Sequence, residues 1–144
     1  MHRFTSKNGI DFIKHFEGFK PTKYICPGGY LTIGYGHKLL PNEYYEQISK
    51  DAAQALLIKD LHKTERAVLK YINVEINDRQ FDALVSFTYN LGAASLQRST
   101  LRQKLNYRLY RQAGDEFLRW IYISTSKVPG LIYRRNAERK MFLS

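Results

Sequence analysis

One cysteine, four prolines and no apolar run longer than four residues set the first limits on this chain of 144 residues. The lone Cys26 forbids an intramolecular disulfide, so packing and hydrogen bonds must hold the fold. The longest strictly apolar runs, Ala55–Ile58 and Trp120–Ile123, fall far short of the roughly 20 residues a membrane helix needs. Lys7, Asp11, Lys14, His15 and Glu17 break every apolar stretch before Phe19, which argues against a secretion signal and predicts a chain that starts in the cytoplasm. Acidic residues are scarce too. Asp and Glu number 13 against 23 Lys and Arg, for a net charge of +10. Such a surface attracts nucleic acid, anionic headgroups or acidic cell-envelope polymers. No zinc finger, RNP motif or basic arm accompanies the charge, so nucleic acid is not the expected partner. His2, His15 and His62 show no H-E-x-x-H or Cys-cluster spacing, and neither a metal nor a cofactor is expected.

What is present is a chain able to fold. With 44% hydrophobic and 14% aromatic residues, residues 1–144 read as one domain with a real core. Ser6 is a candidate cap for a first helix carrying Ile10, Ile13 and Phe16, which Gly18 ends. From Phe19 to Leu40 the texture changes: Pro21, Pro27-Gly28-Gly29, Gly34 and Gly36 punctuate Thr, Tyr and Ile, as short strands and tight turns require. Helical spacing then resumes. Ser49 can cap a helix through Leu57, Leu61, Val68 and Ile72; Asn77 can cap one through Phe81, Leu84, Val85, Thr88 and Leu91, with Gly92 as its stop. Ser99 or Thr100 opens another. Phe117, Trp120 and Ile121 predict a helical cluster, and Pro129-Gly130 a break before a last basic helix over 133–142. The pattern is α+β, mainly helical, with a small antiparallel sheet near the N-terminus.

Chemistry concentrates where the first helix meets the Gly-rich segment. Glu17 sits at that junction between Phe16 and Phe19, where partial desolvation would raise its pKa and suit it to donate a proton near neutral pH. Cys26 follows after eight residues and Thr32 after five more. A two-residue turn at Cys26–Gly29 would place Cys26 and Thr32 on opposite faces by simple alternation, so the turn must be wider or bulged if both face one cleft. His37 reads as a packing or ion-pair residue. Most of the basic last helix reads as a solvated face, with Arg134 or Arg135 available to pair with a carboxylate. Tyr24 and Tyr35 lie near these residues, as ring-stacking or as packing side chains.

The spacing Glu17–Cys26–Thr32 resembles the catalytic pattern of the phage-type lysozymes, or endolysins, in which the middle position is usually Asp and less often Cys. Further blocks follow in order. Thr32-Ile-Gly-Tyr-Gly-His37 is similar to that family's strand after the hairpin, and Gln80–Gly92 to its central buried helix. Trp120, Pro129-Gly-Leu131 and Arg134-Arg135…Glu138-Arg139 are similar to its C-terminal signature. The resemblance implies a lysozyme-like fold and hydrolysis of the β-1,4 bond between N-acetylmuramic acid and N-acetylglucosamine in peptidoglycan. It implies Glu17 as general acid, with Cys26 and Thr32 handling water. Cys26 could then act as base, nucleophile or spacer, since an ordinary thiol titrates near ~8.5 and an Asp near ~3.9. A single-domain monomer would need a holin-like partner to pass from the host cytoplasm to the periplasm and wall, without stable membrane insertion of its own. Two other readings use the same residues: a non-catalytic peptidoglycan-binding protein on this fold, and a Cys–His amidase built from Cys26 and His37.

Overall fold

The computed structural model describes residues 1–144 and opens with a capped helix. The Ser6 side chain accepts from the Gly9 N–H, and helix α1 runs over Lys7–Glu17 until Gly18. Three antiparallel strands follow in the order β1 (Lys20–Ile25), β2 (Leu31–Gly34), β3 (His37–Lys38). The rest is helical: α2 (Lys50–Tyr71), α3 (Asp78–Leu91), α4 (Ala93–Arg98), α5 (Thr100–Asn106), α6 (Tyr110–Glu116) and α7 (Pro129–Leu143). A two-stranded hairpin, β4 (Tyr122–Ile123) and β5 (Ser126–Lys127), precedes α7. The fold is thus the expected α+β arrangement, mainly helical with a small antiparallel sheet near its N-terminus.

Local signals explain most helix starts. Ser49 caps α2 through the Ala52 N–H, and Ser99 caps α5 through that of Arg102. Asn77 and Gln80 form a reciprocal capping box on α3, with both bonds at 2.8 Å. Each such cap contributes about 1 kcal/mol. Helix α3 is the hub: Phe81, Ala83, Leu84, Val85 and Phe87 are all buried, and α1, α2, α4 and α7 pack around it. Full burial of each large side chain contributes about 1.5–3 kcal/mol, so α3 fixes where the other helices stand.

Three expectations need correction. Pro129 opens α7 rather than breaking the chain ahead of it, because a proline at the first helical position lacks only an N–H that would have no partner. Helix α6 stops at Glu116, and Phe117–Arg119 forms a single 3-10 turn. That turn still brings Phe117 and Trp120 onto Phe87, with ring centroids 5.4 and 5.5 Å away. Ile121-Tyr122-Ile123, β-branched and aromatic, favours the strand β4 over a continued helix. The basic face of α7 is also not simply solvated: Arg134, Arg135 and Glu138 are buried.

Candidate active site

Glu17 is the last residue of α1, and both ends of that helix are tied to the core. At its start, Asp82 of α3 accepts from the Ser6 N–H at 3.0 Å and from the Ser6 hydroxyl. At its end, Arg134 Nη1 donates to Glu17 Oε2 at 2.7 Å, with side-chain exposures of 5% and 16%. The guanidinium is itself held from behind. Its Nε lies 3.3 Å from Glu138 Oε2, and its Nη2 donates to the Ser86 carbonyl at 3.2 Å. The Ser86 hydroxyl donates to the same Glu138 oxygen at 2.5 Å. Burial pushes the Glu138 carboxyl up, against the pull of Arg135, Arg134 and Ser86. Burial pulls Arg135 down to about 10, with Glu138 opposing, which leaves it charged at neutral pH. A chain of charge-assisted contacts therefore runs from the middle of α3 through α7 to the tip of α1.

Gly36 closes the other side of Glu17. Its φ is +83°, and a Cβ there would lie 2.6 Å from Glu17 Oε1 and 3.4 Å from the Tyr89 hydroxyl. Tyr89 donates to the Tyr35 carbonyl at 3.0 Å. Burial raises its phenol, and Glu17 adds to that rise.

The hairpin answers the question of faces. The Cys26 N–H donates to the Tyr30 carbonyl at 2.9 Å, and the Gly29 N–H to the Cys26 carbonyl at 2.8 Å. Pro27, Gly28 and Gly29 thus form a three-residue loop, with Gly29 at φ +86° supplying the left-handed position such a loop needs. Tyr24 then pairs with Thr32 and Ile25 with Leu31, so Tyr24, Cys26 and Thr32 share one face. The turn is the wider one required. Thr32 is 2% exposed, and its hydroxyl donates to the Tyr30 carbonyl at 2.8 Å. Burial alone would push the Cys26 thiol up. The Thr32 hydroxyl, the Tyr30 and Gly28 backbone and the charge of Lys38 outweigh it, and the thiol sits below its ordinary value. Tyr24 stands near both groups: burial raises its phenol, and Glu17 and then Cys26 raise it further.

His37 lies on the opposite face, paired with Ile33. Its Nδ1 meets Asp60 at 2.6 Å and its Nε2 meets Glu43 at 2.9 Å. The Asp60 bond raises its pKa, burial opposes, and Glu43 adds to the rise. It is the ion-pair residue expected, and with both nitrogens engaged away from Cys26 the Cys–His amidase has no base. Tyr35 is 7% exposed and packs on Phe19 at 5.5 Å, so it belongs to the core rather than to a sugar-binding surface. A surface cavity of about 650 Å³ beside Arg3, Ile72, Val74 and Tyr110 includes none of these residues. Sequence reasoning passed over Gly36 and Tyr89, and left the choice between Arg134 and Arg135 open. A Gly in the turn between two short strands and a doubled Arg before Glu138 were the available signals.

The phage lysozyme family model matches residues 14–138, a span holding Glu17, Cys26, Thr32, Arg134 and Glu138. The chain belongs to that family. Phage lysozymes are glycoside hydrolases. The endolysin of Bacillus phage B103 is 40% identical over 141 residues, covering 96% of this chain and 54% of that protein. The endolysin of Salmonella phage P22 is 35% identical over 144 residues, covering 96% of this chain and 97% of that protein. This phage lysozyme chain therefore spans about half of the Bacillus phage relative and nearly all of the Salmonella phage one. Among solved structures, the muramidase domain of SpmX from Asticaccaulis excentricus superimposes with a TM-score of 0.90 at 30% identity, over 100% of this chain and 99% of that one.

Proposed function

We propose that this phage lysozyme is an endolysin-type muramidase that hydrolyses the β-1,4 bond between N-acetylmuramic acid and N-acetylglucosamine in peptidoglycan. The observation that carries the reading is the Glu17 carboxylate, clamped by Arg134 at 2.7 Å, beside a hairpin face that bears Cys26 and Thr32. Glycoside hydrolysis needs a proton donor to the leaving oxygen and a second group to handle water. Glu17 protonates the glycosidic oxygen as the bond to the anomeric carbon breaks. Water attacks that carbon from the opposite face, and its proton passes to the Cys26 thiolate. The Thr32 hydroxyl holds the water. The anomeric configuration inverts, no enzyme–sugar bond forms, and the proton gained by Cys26 is exchanged through solvent for one on Glu17 before the next turnover. Burial of the Glu17–Arg134 pair keeps the acid in one orientation, which serves catalysis by positioning.

The surrounding biology follows the same proposal. A net charge of +10 suits the anionic polymers of the cell envelope. No helix of the chain is long and apolar enough to cross a membrane, which fits a monomer that reaches the wall from the host cytoplasm through a holin-like permeabilising partner. The test is digestion of purified peptidoglycan by wild type and Glu17→Gln, with products read by mass spectrometry. Reducing muramic ends from wild type alone are expected. Unchanged wall, with the protein retained on it, would refute hydrolysis and leave a binding protein.

A further inference from the structure

The sulfur at position 26 meets a requirement that a carboxylate would not: something must keep it charged. An ordinary thiol is mostly neutral at pH 7. The thiolate would also stand in the same site as Glu17, since both groups act on Tyr24. The row across the sheet supplies a counter-charge. Thr32 pairs with Tyr24 on one side and with Lys38 on the other, so Lys38 projects from the face that carries Cys26. Its ammonium sits 4.2 Å from the centroid of the Tyr30 ring. Tyr30 is the residue directly opposite Cys26, closing the loop through the 2.9 Å bond to its carbonyl. The Tyr30 ring and the Cys26 sulfur even border the same spot: a Cβ on Gly28 would lie 3.3 Å from the ring and 3.8 Å from Sγ.

A lysine on a free four-carbon stem is a poor counter-ion, because fixing it sacrifices rotamer freedom. Stacking on an aromatic face removes that freedom beforehand and is itself favourable for a cation. From this geometry we propose that Lys38, pre-ordered on the Tyr30 ring, is a positioning residue that holds Cys26 as the thiolate the reaction uses. The catalytic part of this statement rests on the muramidase reading, whereas the electrostatic part stands without it. Lys38 on β3 acts on the sulfur by its charge, Tyr24 on β1 and Tyr30 beside the loop share its face, and Glu17 at the end of α1 acts on the same Tyr24. Lys38 alone among them is positive.

The test reads the thiol directly, because Cys26 is the one cysteine in the chain. Iodoacetamide alkylation of wild type, Lys38→Met, Lys38→Arg and Tyr30→Leu is followed from pH 5 to 10, with lytic rate measured in parallel. Lys38→Met is expected to slow alkylation at pH 7 about three- to tenfold, which is what an upward move of half to one pH unit does to the thiolate fraction. Lys38→Arg restores the wild-type profile, and Tyr30→Leu falls between. High salt depresses the wild-type profile towards that of Lys38→Met. An unchanged pH midpoint in Lys38→Met overturns the proposal, whatever the lytic rates. A shifted midpoint with unchanged lysis leaves the electrostatic pairing intact and removes Cys26 from the chemistry.

Discussion

If Glu17 is the general acid, Gly36→Ala isolates its geometry from everything else in the protein. At φ +83° an alanine carries a backbone strain of about 1–2 kcal/mol, which in a domain of this size lowers Tm by roughly 3–8 °C. That part is shared by Gly92→Ala at the end of α3, where φ is +93° and a Cβ meets nothing within 4 Å. The two variants differ in what the new methyl touches. At position 36 it would stand 2.6 Å from Glu17 Oε1, inside contact distance, so the carboxylate must swing away from the 2.7 Å contact with Arg134. A displacement on the order of 1 Å at a reacting group lowers the rate about a hundredfold. Wall-lysis rates and thermal melts on both variants therefore separate the effects: Gly92→Ala loses stability with near-normal turnover, and Gly36→Ala loses similar stability with about 10²-fold less turnover. Equal turnover in the two would refute the assignment of Gly36 as the wall that sets the acid.

Other outcomes follow from the same structure. If Cys26 is the base, Cys26→Asp retains lysis while Ser and Ala lose it. The rising limb of the pH–rate profile then moves down in Cys26→Asp by less than the ~4.6 units separating ordinary thiol and Asp values, because the thiol already sits low. His37 has its pKa raised by Asp60 first, with burial opposing and Glu43 adding to the rise. Its contribution is present below the unfolded value near ~6.5 and is lost as pH climbs through the raised one. The Tm gap between wild type and His37→Gln should be widest near pH 5–6 and narrow towards pH 9, and a gap that widens with pH would contradict this. Arg134→Met leaves Glu17 without its cation and the fully buried Glu138 with only Arg135 and Ser86, and should destabilise by up to about 3–5 kcal/mol in chemical denaturation. Arg139→Ala loses only the partly exposed contact with Asp115 and should stay under about 1 kcal/mol.

The parts of this fold that are legible in sequence are those written locally. Ser6, Ser49 and Asn77 cap helices because the hydrogen bond they make spans three residues, and a reader sees both partners at once. The hairpin is half legible: alternation shows that Cys26 and Thr32 need an extra residue between them, and Gly29 supplies it at a φ that only the structure reveals. The engine of the site is not local. Arg134 reads as one cation on a basic helix until the structure brings Glu17 from 117 residues away and Ser86 from 48. Its burial comes from α3, so no window around α7 could show it. The β4–β5 hairpin escapes for another reason: its tip takes a positive φ at Ser124 rather than at a glycine, and each strand is two residues long.

The clamp on Glu17 also imposes an order in time. A ribosome delivers α1 and the hairpin first and reaches Arg134 only 117 residues after Glu17. At about 5–20 residues per second, that interval is roughly 6–23 s. Throughout it Glu17 exists without the cation that holds it, and α3 without the helix that covers its buried serine. The half of the site that recognises chemistry by sequence is made early, and the half that gives it geometry arrives late. A growing chain of this protein thus carries the Glu17 carboxylate unclamped until α7 has emerged and packed.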